Sequence, residues 1–306
     1  MNKINIDDLI NKLDQELVVA KSDHAVAKRL AVLRETAKKY AGEDEVVSFE
    51  DIVSKVKSRE ELFVIKTGWE NFDKIVRGFR PQQIVLVGAL TKSGKTTWCM
   101  ELTSRIAQHN PLWIPYEESA EELMRKYIER ELTPPHGYTP SITRPNQLDW
   151  LEARIIEGIA KYGSQIVFID HLEFLVPSGH EGLDERYAST MRFLKDLAKK
   201  WNVCLVIMCQ LRKPESITAL PDYNDIKNSS SPAQHCDTAI VLYRETFKKK
   251  QEVTITNNTI VSIQLNRRFG GTGNVTMVFE NGHFIEKEWR EDVLTSQKLD
   301  QELDDY

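Results

Sequence analysis

Residues 82–102 read QQIVLVGALTKSGKTTWCMEL. The stretch from Gln82 to Gly88 is apolar in succession rather than alternating, the pattern of a strand buried on both faces of a parallel sheet. From Lys95 onward the pattern is helical. Between the two, starting at Ala89, the chain reads A-x-x-x-x-G-K-T. This is a phosphate-binding loop with Ala at its permissive first position, in the strand–loop–helix setting that such a loop requires. The backbone N–H groups of Thr91, Lys92, Ser93, Gly94, Lys95, Thr96 and Thr97 are placed to cradle phosphates, where a helix N-terminus also favours negative charge. Gly94 lets the backbone approach closely. Lys95 reaches the β- and γ-phosphates, and the Thr96 hydroxyl is a ligand for Mg2+. ATP and Mg2+ are the expected cofactors.

Working outward, four more stretches repeat the buried-strand texture: PLWIPYE (111–117), SQIVFID (164–170), VCLVIMC (203–209) and DTAIVLY (237–243). Helical patterns at 95–108, 118–131, 147–161 and 184–201 separate most of them. Strand–helix alternation with buried strands predicts an α/β fold, a mostly parallel central sheet covered on both faces. TIVSIQLN (259–266), NVTMVFE (274–280) and GHFIEKE (282–288) alternate more and predict antiparallel strands closing one side.

Ahead of this core, Ile6, Leu9, Ile10, Leu13 and Leu17 follow helical spacing, and Ser22-Asp23 can cap a second helix ended by Gly42. Ser48 with Asp51 resembles a capping box and starts a short helix. The expected organisation is a helical region over 1–45, a linker helix within 46–63, a core over 64–289 and an acidic tail over 290–306.

The net charge of −5 argues against a protein that coats nucleic acid, though a local basic lining is compatible with it. Cys99, Cys204, Cys209 and Cys236 form no C-x-x-C pair and have no histidine at zinc-ligand spacing, so they read as reduced, buried thiols. No N-terminal apolar stretch is long enough for a signal peptide or a membrane span, and the chain is read as cytoplasmic, without a membrane partner.

Two carboxylates stand where a nucleotide site needs them. Asp170 ends the strand IVFID, the place of a magnesium partner. Glu117 ends WIPYE, where a carboxylate can activate the attacking water; its neighbour Glu118 competes for the role, although a solvated acid at a helix start suits Glu118 better.

The segments IVLVGALTKSGKTTWCMEL, LWIPYEESAEEL, IVFIDHLEFL, LKDLAKKWNVCLVIMCQLRK, NSSSPAQHCDTAIVLYRE and NRRFGGTGNVTMVFENG occur in the order seen in DnaB-type hexameric replicative helicases of superfamily 4, and TGWENFDKIVRGFRP resembles the entry to their motor domain. The resemblance covers about residues 64–287. It implies a RecA-like motor domain with ATP and magnesium held by Lys95 and Thr96, Glu117 as catalytic base and Asp170 as magnesium partner. Gln210 would be the sensor of the γ-phosphate. Arg268 would be an arginine finger reaching the neighbouring subunit's site, which implies a homo-hexameric ring. Arg244 and Phe279 fall where the family sandwiches the adenine. Many members carry Lys two residues before the finger, where this chain has Asn266, and Arg267 offers a second cation beside Arg268.

The resemblance further implies sequence-independent binding of single-stranded DNA within the ring and travel 5′→3′. Loops 176–187 and 213–231 are the candidates, the second favoured, with Lys213, Lys227, Asn228, Ser229 and Ser230 tracking the phosphate chain. The N-terminal region is read as shorter than the family's own N-terminal domain, and neither a primase nor a zinc ribbon is expected in it. The acidic tail SQKLDQELDDY ends in Tyr306. It resembles the tails of phage replication proteins that dock on a polymerase, primase, loader or single-strand-binding protein, and with the compact form it suggests a phage or mobile element. The leading expectation is an ATP-dependent DNA helicase. A recombination ATPase of the RadA/RecA type and a non-motor regulatory P-loop ATPase are the alternatives.

Overall fold

The computed structural model describes residues 6–19, 28, 30, 31, 33, 34, 47–58, 63–91, 93–129, 134, 136–212, 220–249 and 252–287. The chain divides into two compact units, Met1–Glu61 and Leu62–Tyr306.

In the first unit, helix α1 spans Ile6–Val19 and buries Leu13. The described residues between 28 and 34 are also helical, and Arg34 pairs with Asp14 of α1. The remainder of the expected second helix lies outside the described residues. Helix α2, Phe49–Ser58, starts at the expected cap: the Asp51 N–H donates to Ser48 Oγ at 3.1 Å, and the Ser48 hydroxyl donates to Asp51 Oδ2 at 2.9 Å. The first of these bonds satisfies a donor that a helix start leaves open.

The second unit is built on one eight-stranded sheet. Its strands are β1 Ile84–Ala89, β2 Leu112–Pro115, β3 Ile166–Asp170, β4 Cys204–Gln210, β5 Thr238–Lys249, β6 Glu252–Asn266, β7 Gly273–Glu280 and β8 His283–Glu286. The order is β2-β3-β4-β1-β5-β6-β7-β8. The first five strands pair in parallel and the last three pairings are antiparallel. The helices are α3 Glu70–Val76, α4 Lys95–Arg105, α5 Ala120–Glu129, α6 Leu148–Tyr162, α7 Leu183–Lys200 and α8 Ser231–His235.

Strand β4 shows why the central strands are apolar throughout. Cys204, Val206 and Met208 face a core that includes Trp98, Cys99 and Leu102 of α4. Leu205, Ile207 and Cys209 face one that includes Leu151 and Ile155 of α6 and Met191, Leu194 and Leu197 of α7. With both faces covered, alternation disappears from the sequence. Strand β7 has one fully covered face, and there Val275 and Met277 are buried while their neighbours are only partly so.

The antiparallel end differs from expectation in one respect. Strands β5 and β6 do not stop at Tyr243 and restart at Thr259. They continue as a long hairpin, with Thr246 opposite Ile255 and Lys249 opposite Glu252. Ladder hydrogen bonds stabilise this extension, which the charged run ETFKKKQE does not announce.

Helix α3 is tied to the opposite end of the unit in sequence. The Glu286 carboxylate of β8 accepts the N–H groups of Asn71 (3.0 Å) and Phe72 (2.8 Å), so a strand residue caps the helix. The Trp69 indole donates to Phe284 O at 3.1 Å. Among the described residues no helix is long and apolar enough to cross a membrane. All four cysteines are free and buried, as expected.

Candidate active site

The loop at 90–94 carries the chain from the end of β1 into α4. Gly94 adopts φ 85°, a left-handed conformation that disfavours a side chain, and its carbonyl accepts the Trp98 N–H at 2.8 Å to start the helix. The first turn of α4 has neither a capping side chain nor an acidic residue. Its free N–H groups and positive dipole end are therefore left for an anion. Lys92 lies outside the described residues. The β1 side of the loop is tightly built as well: a Cβ on Gly88 would meet Leu211 Cδ2 at 2.9 Å.

Lys95 and Thr96 converge on Asp170, which β3 delivers two strands away from β1. The Thr96 hydroxyl donates to Asp170 Oδ2 at 3.0 Å, and Lys95 Nζ stands 3.6 Å from Oδ1. The Asp170 side chain is 2% exposed and that of Lys95 13%. Buried Oδ1 has no hydrogen-bond partner among the described residues. A hydroxyl and a carboxylate with a spare oxygen are the hard donors Mg2+ accepts, and this ion binds through few protein ligands with phosphates and water completing its shell. The residues present fit that ion.

Glu117 follows β2. Its N–H and that of Tyr116 both donate to Asp170 O, at 3.0 and 2.8 Å, which pins the end of β2 to the end of β3. The Glu117 side chain is 54% exposed, and its Oε2 lies 3.7 Å from His171 Nε2. Glu118 is engaged elsewhere, in an ion pair with Lys126 of α5 at 2.5 Å. Among the described residues, Glu117 is the one of the two candidate acids not paired with a lysine.

Gln210 ends β4 beside Ala89, and its side-chain amide donates to Thr91 Oγ1 in the phosphate loop. Its carbonyl accepts the Lys227 N–H at 2.8 Å, Arg212 N–H donates to Asp225 O at 2.7 Å, and Leu211 bridges to Ile226. Gln210 is thus in contact with the phosphate loop on one side and with the 220–230 loop on the other. In that loop Lys227, Asn228 and Ser230 are exposed. Ser229 departs from expectation: it is 1% exposed and its hydroxyl accepts the Ser231 N–H at 3.0 Å, so it braces the turn before α8 instead of facing outward. Lys213 lies outside the described residues. Loop 176–187 is folded on itself by Arg186 donating to Pro177 O at 2.9 Å.

Phe279 packs on Phe284, with ring centroids 4.9 Å apart, and Phe284 lies 3.9 Å from where a Cβ on Gly94 would stand. By the alternation of β5, Arg244 projects on this same α4 side, separated from β7 by β6. Arg244 and Phe279 thus share one face of the sheet, on strands that lie to the same side of β1.

The turn after β6 separates the two candidate finger arginines. Arg267 is tethered: its N–H donates to Asp237 O at 2.9 Å and its guanidinium to Gln234 O at 2.7 Å. Arg268 is exposed, its guanidinium 5.9 Å from the Phe269 ring centroid, with no ion pair among the described residues. Asn266, at the place of the family's lysine, is 4% exposed; it accepts the Phe269 N–H and donates to Ile75 O, so it builds the turn.

Sequence reasoning assigned nothing to His171 or Glu173, which contact each other beside Glu117. The only signal was the polar pair within the apolar DHLEFL run.

The fold is that of RecA-like ATPase domains carrying a P-loop. One solved ATPase domain superimposes with a TM-score of 0.68 at 18% identity, covering 80% of this chain and 100% of that one. A DnaB-like replicative helicase, described with its interactions with primase, superimposes at 0.65 with 17% identity over 92% of this chain and 77% of that one. Residues 64–134 and 142–285 match the DnaB-like helicase C-terminal domain, and the chain belongs to that family. Curated relatives include the replicative DNA helicase DnaB of Haemophilus influenzae, 23% identical over 79% of this chain, and that of Geobacillus stearothermophilus, 24% identical over 81%. The chain spans 60% and 62% of those relatives' lengths.

Proposed function

We propose that this chain is the motor of an ATP-dependent replicative DNA helicase that works as a homo-hexameric ring on single-stranded DNA. The observation that carries this reading is the convergence of Lys95 and Thr96 on buried Asp170, in a chain whose core matches the DnaB-like helicase C-terminal domain.

In this reading the loop from Ala89 to Thr97 holds the triphosphate of ATP and Lys95 neutralises its outer phosphates. Thr96 and Asp170 would hold Mg2+, which offsets phosphate charge when bound. Glu117 takes the proton of the attacking water. Arg268 completes the neighbouring subunit's site, a role that makes the isolated subunit a poor ATPase. Arg244 and Phe279 flank the base. Gln210, touching both Thr91 and the strand that meets the Lys227 loop, passes the state of the phosphate site to that loop. Lys213, Lys227, Asn228 and Ser230 then contact the DNA backbone. Residues 1–45 and 46–63 serve as helical region and linker to the 64–289 motor. The acidic tail over 290–306 with Tyr306 docks a replication partner. The protein acts in the cytoplasm, where its DNA is.

The test is the ATPase rate per subunit with and without single-stranded DNA across protein concentration. Strong DNA stimulation that appears only above an assembly concentration is the expected result. A rate independent of both DNA and concentration overturns the reading.

A further inference from the structure

The chemistry proposed above requires the Glu117 carboxylate to be aimed, yet nothing on its own segment aims it. The side chain is 54% exposed, and the neighbouring Glu118 is held by Lys126. What faces it is His171, the residue after Asp170. The His171 ring is fixed on two sides. Its Nδ1 contacts the Glu173 carboxylate, and the ring leans on Phe174 at 46° with centroids 4.8 Å apart. That leaves the Nε2 edge turned to Glu117 Oε2 at 3.7 Å. Glu173 is 20% exposed; neither of its buried carboxylate oxygens makes a hydrogen bond among the described residues, and the His171 ring is the group they stand against. A carboxylate buried with a single partner is costly, so its role lies in that contact.

We propose that His171, backed by Glu173, is the positioning residue for Glu117: it holds that carboxylate over the place of the attacking water. The inference rests on the role of Glu117 proposed above. A free glutamate side chain spreads over several rotamers, and misplacing a reacting group by about 1 Å can cost on the order of 100-fold in rate.

The test is steady-state ATP hydrolysis, with nucleotide affinity measured separately, in full-length wild type, His171→Ala, His171→Gln, Glu173→Ala, Glu173→Gln and the His171→Ala/Glu173→Ala double variant. His171→Ala is expected to lower kcat by roughly 10- to 100-fold at unchanged affinity. His171→Gln, whose amide still reaches Glu117, should recover a good part of that loss. Glu173→Ala should lower kcat in the wild-type background and add nothing to His171→Ala, the signature of residues acting as one unit. Wild-type turnover in His171→Ala, equal loss in the Ala and Gln variants, or a parallel loss of affinity each overturns the positioning role alone. A wild-type protein that binds but does not hydrolyse ATP overturns the reading of the site, and the inference with it. Should His171→Ala fail to fold, Glu173→Gln decides: reduced kcat at unchanged affinity upholds the proposal and unchanged kcat refutes it.

Discussion

Consider Asp170→Asn in the nucleotide-free protein. The substitution keeps size and an acceptor for the Thr96 hydroxyl, but it turns a neutral amide towards Lys95, whose side chain is 13% exposed. At 3.6 Å and an effective dielectric of about 20, the lost attraction is roughly 5 kcal/mol before solvation is counted. Desolvation of both groups offsets much of this in the wild type. Removing one partner of such a pair nevertheless leaves the other charge stranded, at a cost of about 3–5 kcal/mol. The lower end applies, because Lys95 keeps some access to water. For a unit of this size about 3 kcal/mol corresponds to a fall in Tm of roughly 6–12 °C. Combining Asp170→Asn with Lys95→Met removes the stranded charge, so the double variant should be more stable than Asp170→Asn alone. Thermal and denaturant unfolding of the wild type, both single variants and the double variant close the cycle. A coupling above about 1 kcal/mol is expected; additivity within about 0.5 kcal/mol would refute the claim that Lys95 and Asp170 hold each other ready for a nucleotide.

Other parts of the molecule give three more tests. Arg268→Ala should retain nucleotide binding but lose hydrolysis by about 10³-fold or more, whereas Arg267→Ala, whose guanidinium is taken up by Gln234 O, should keep turnover; equal turnover in both variants removes the finger from Arg268. Glu286→Ala should destabilise the second unit by about 1–2 kcal/mol in urea unfolding through loss of the α3 cap, and an unchanged midpoint would show that the contact contributes nothing. Burial pushes all four thiols up, Cys236 to about 12, so they stay protonated in the folded state at pH values where unfolded thiols ionise. Their contribution is therefore complete below about pH 9 and lost as pH rises from there towards 12, by about 1.4 kcal/mol per thiol per pH unit; a denaturant midpoint that is flat from pH 8 to 10, or rapid thiol labelling of native protein at pH 8, would contradict this.

The parallel half of the sheet was legible because burial on both faces writes itself as uninterrupted apolar runs, as in IVLVGA and CLVIMC. The phosphate loop was legible because backbone geometry restricts it to few residue types, Gly94 above all. The long extension of β5 and β6 was not: backbone pairing joins Thr246 to Ile255 and Lys249 to Glu252, while the charged run ETFKKKQE carries no apolar pattern that announces it. Ser229 read like its neighbours Asn228 and Ser230, and only the turn into α8 decides that its hydroxyl points inward. Asn266 looked like a lost cation, while in the fold it is a buried turn residue whose amide serves Ile75 and Phe269. His171 and Glu173 escaped notice because a polar pair after a strand is common, and their meaning comes from Glu117, more than fifty positions away in sequence.

The most direct measurement of the central claim is strand separation on a forked duplex with a free single-stranded arm, with ATP and Mg2+, comparing wild type and Lys95→Ala. The account predicts ATP-dependent unwinding by the wild type and none by Lys95→Ala. DNA-stimulated hydrolysis with homologous pairing but no unwinding would contradict it and point to a recombination ATPase; hydrolysis with neither would leave a non-motor P-loop ATPase.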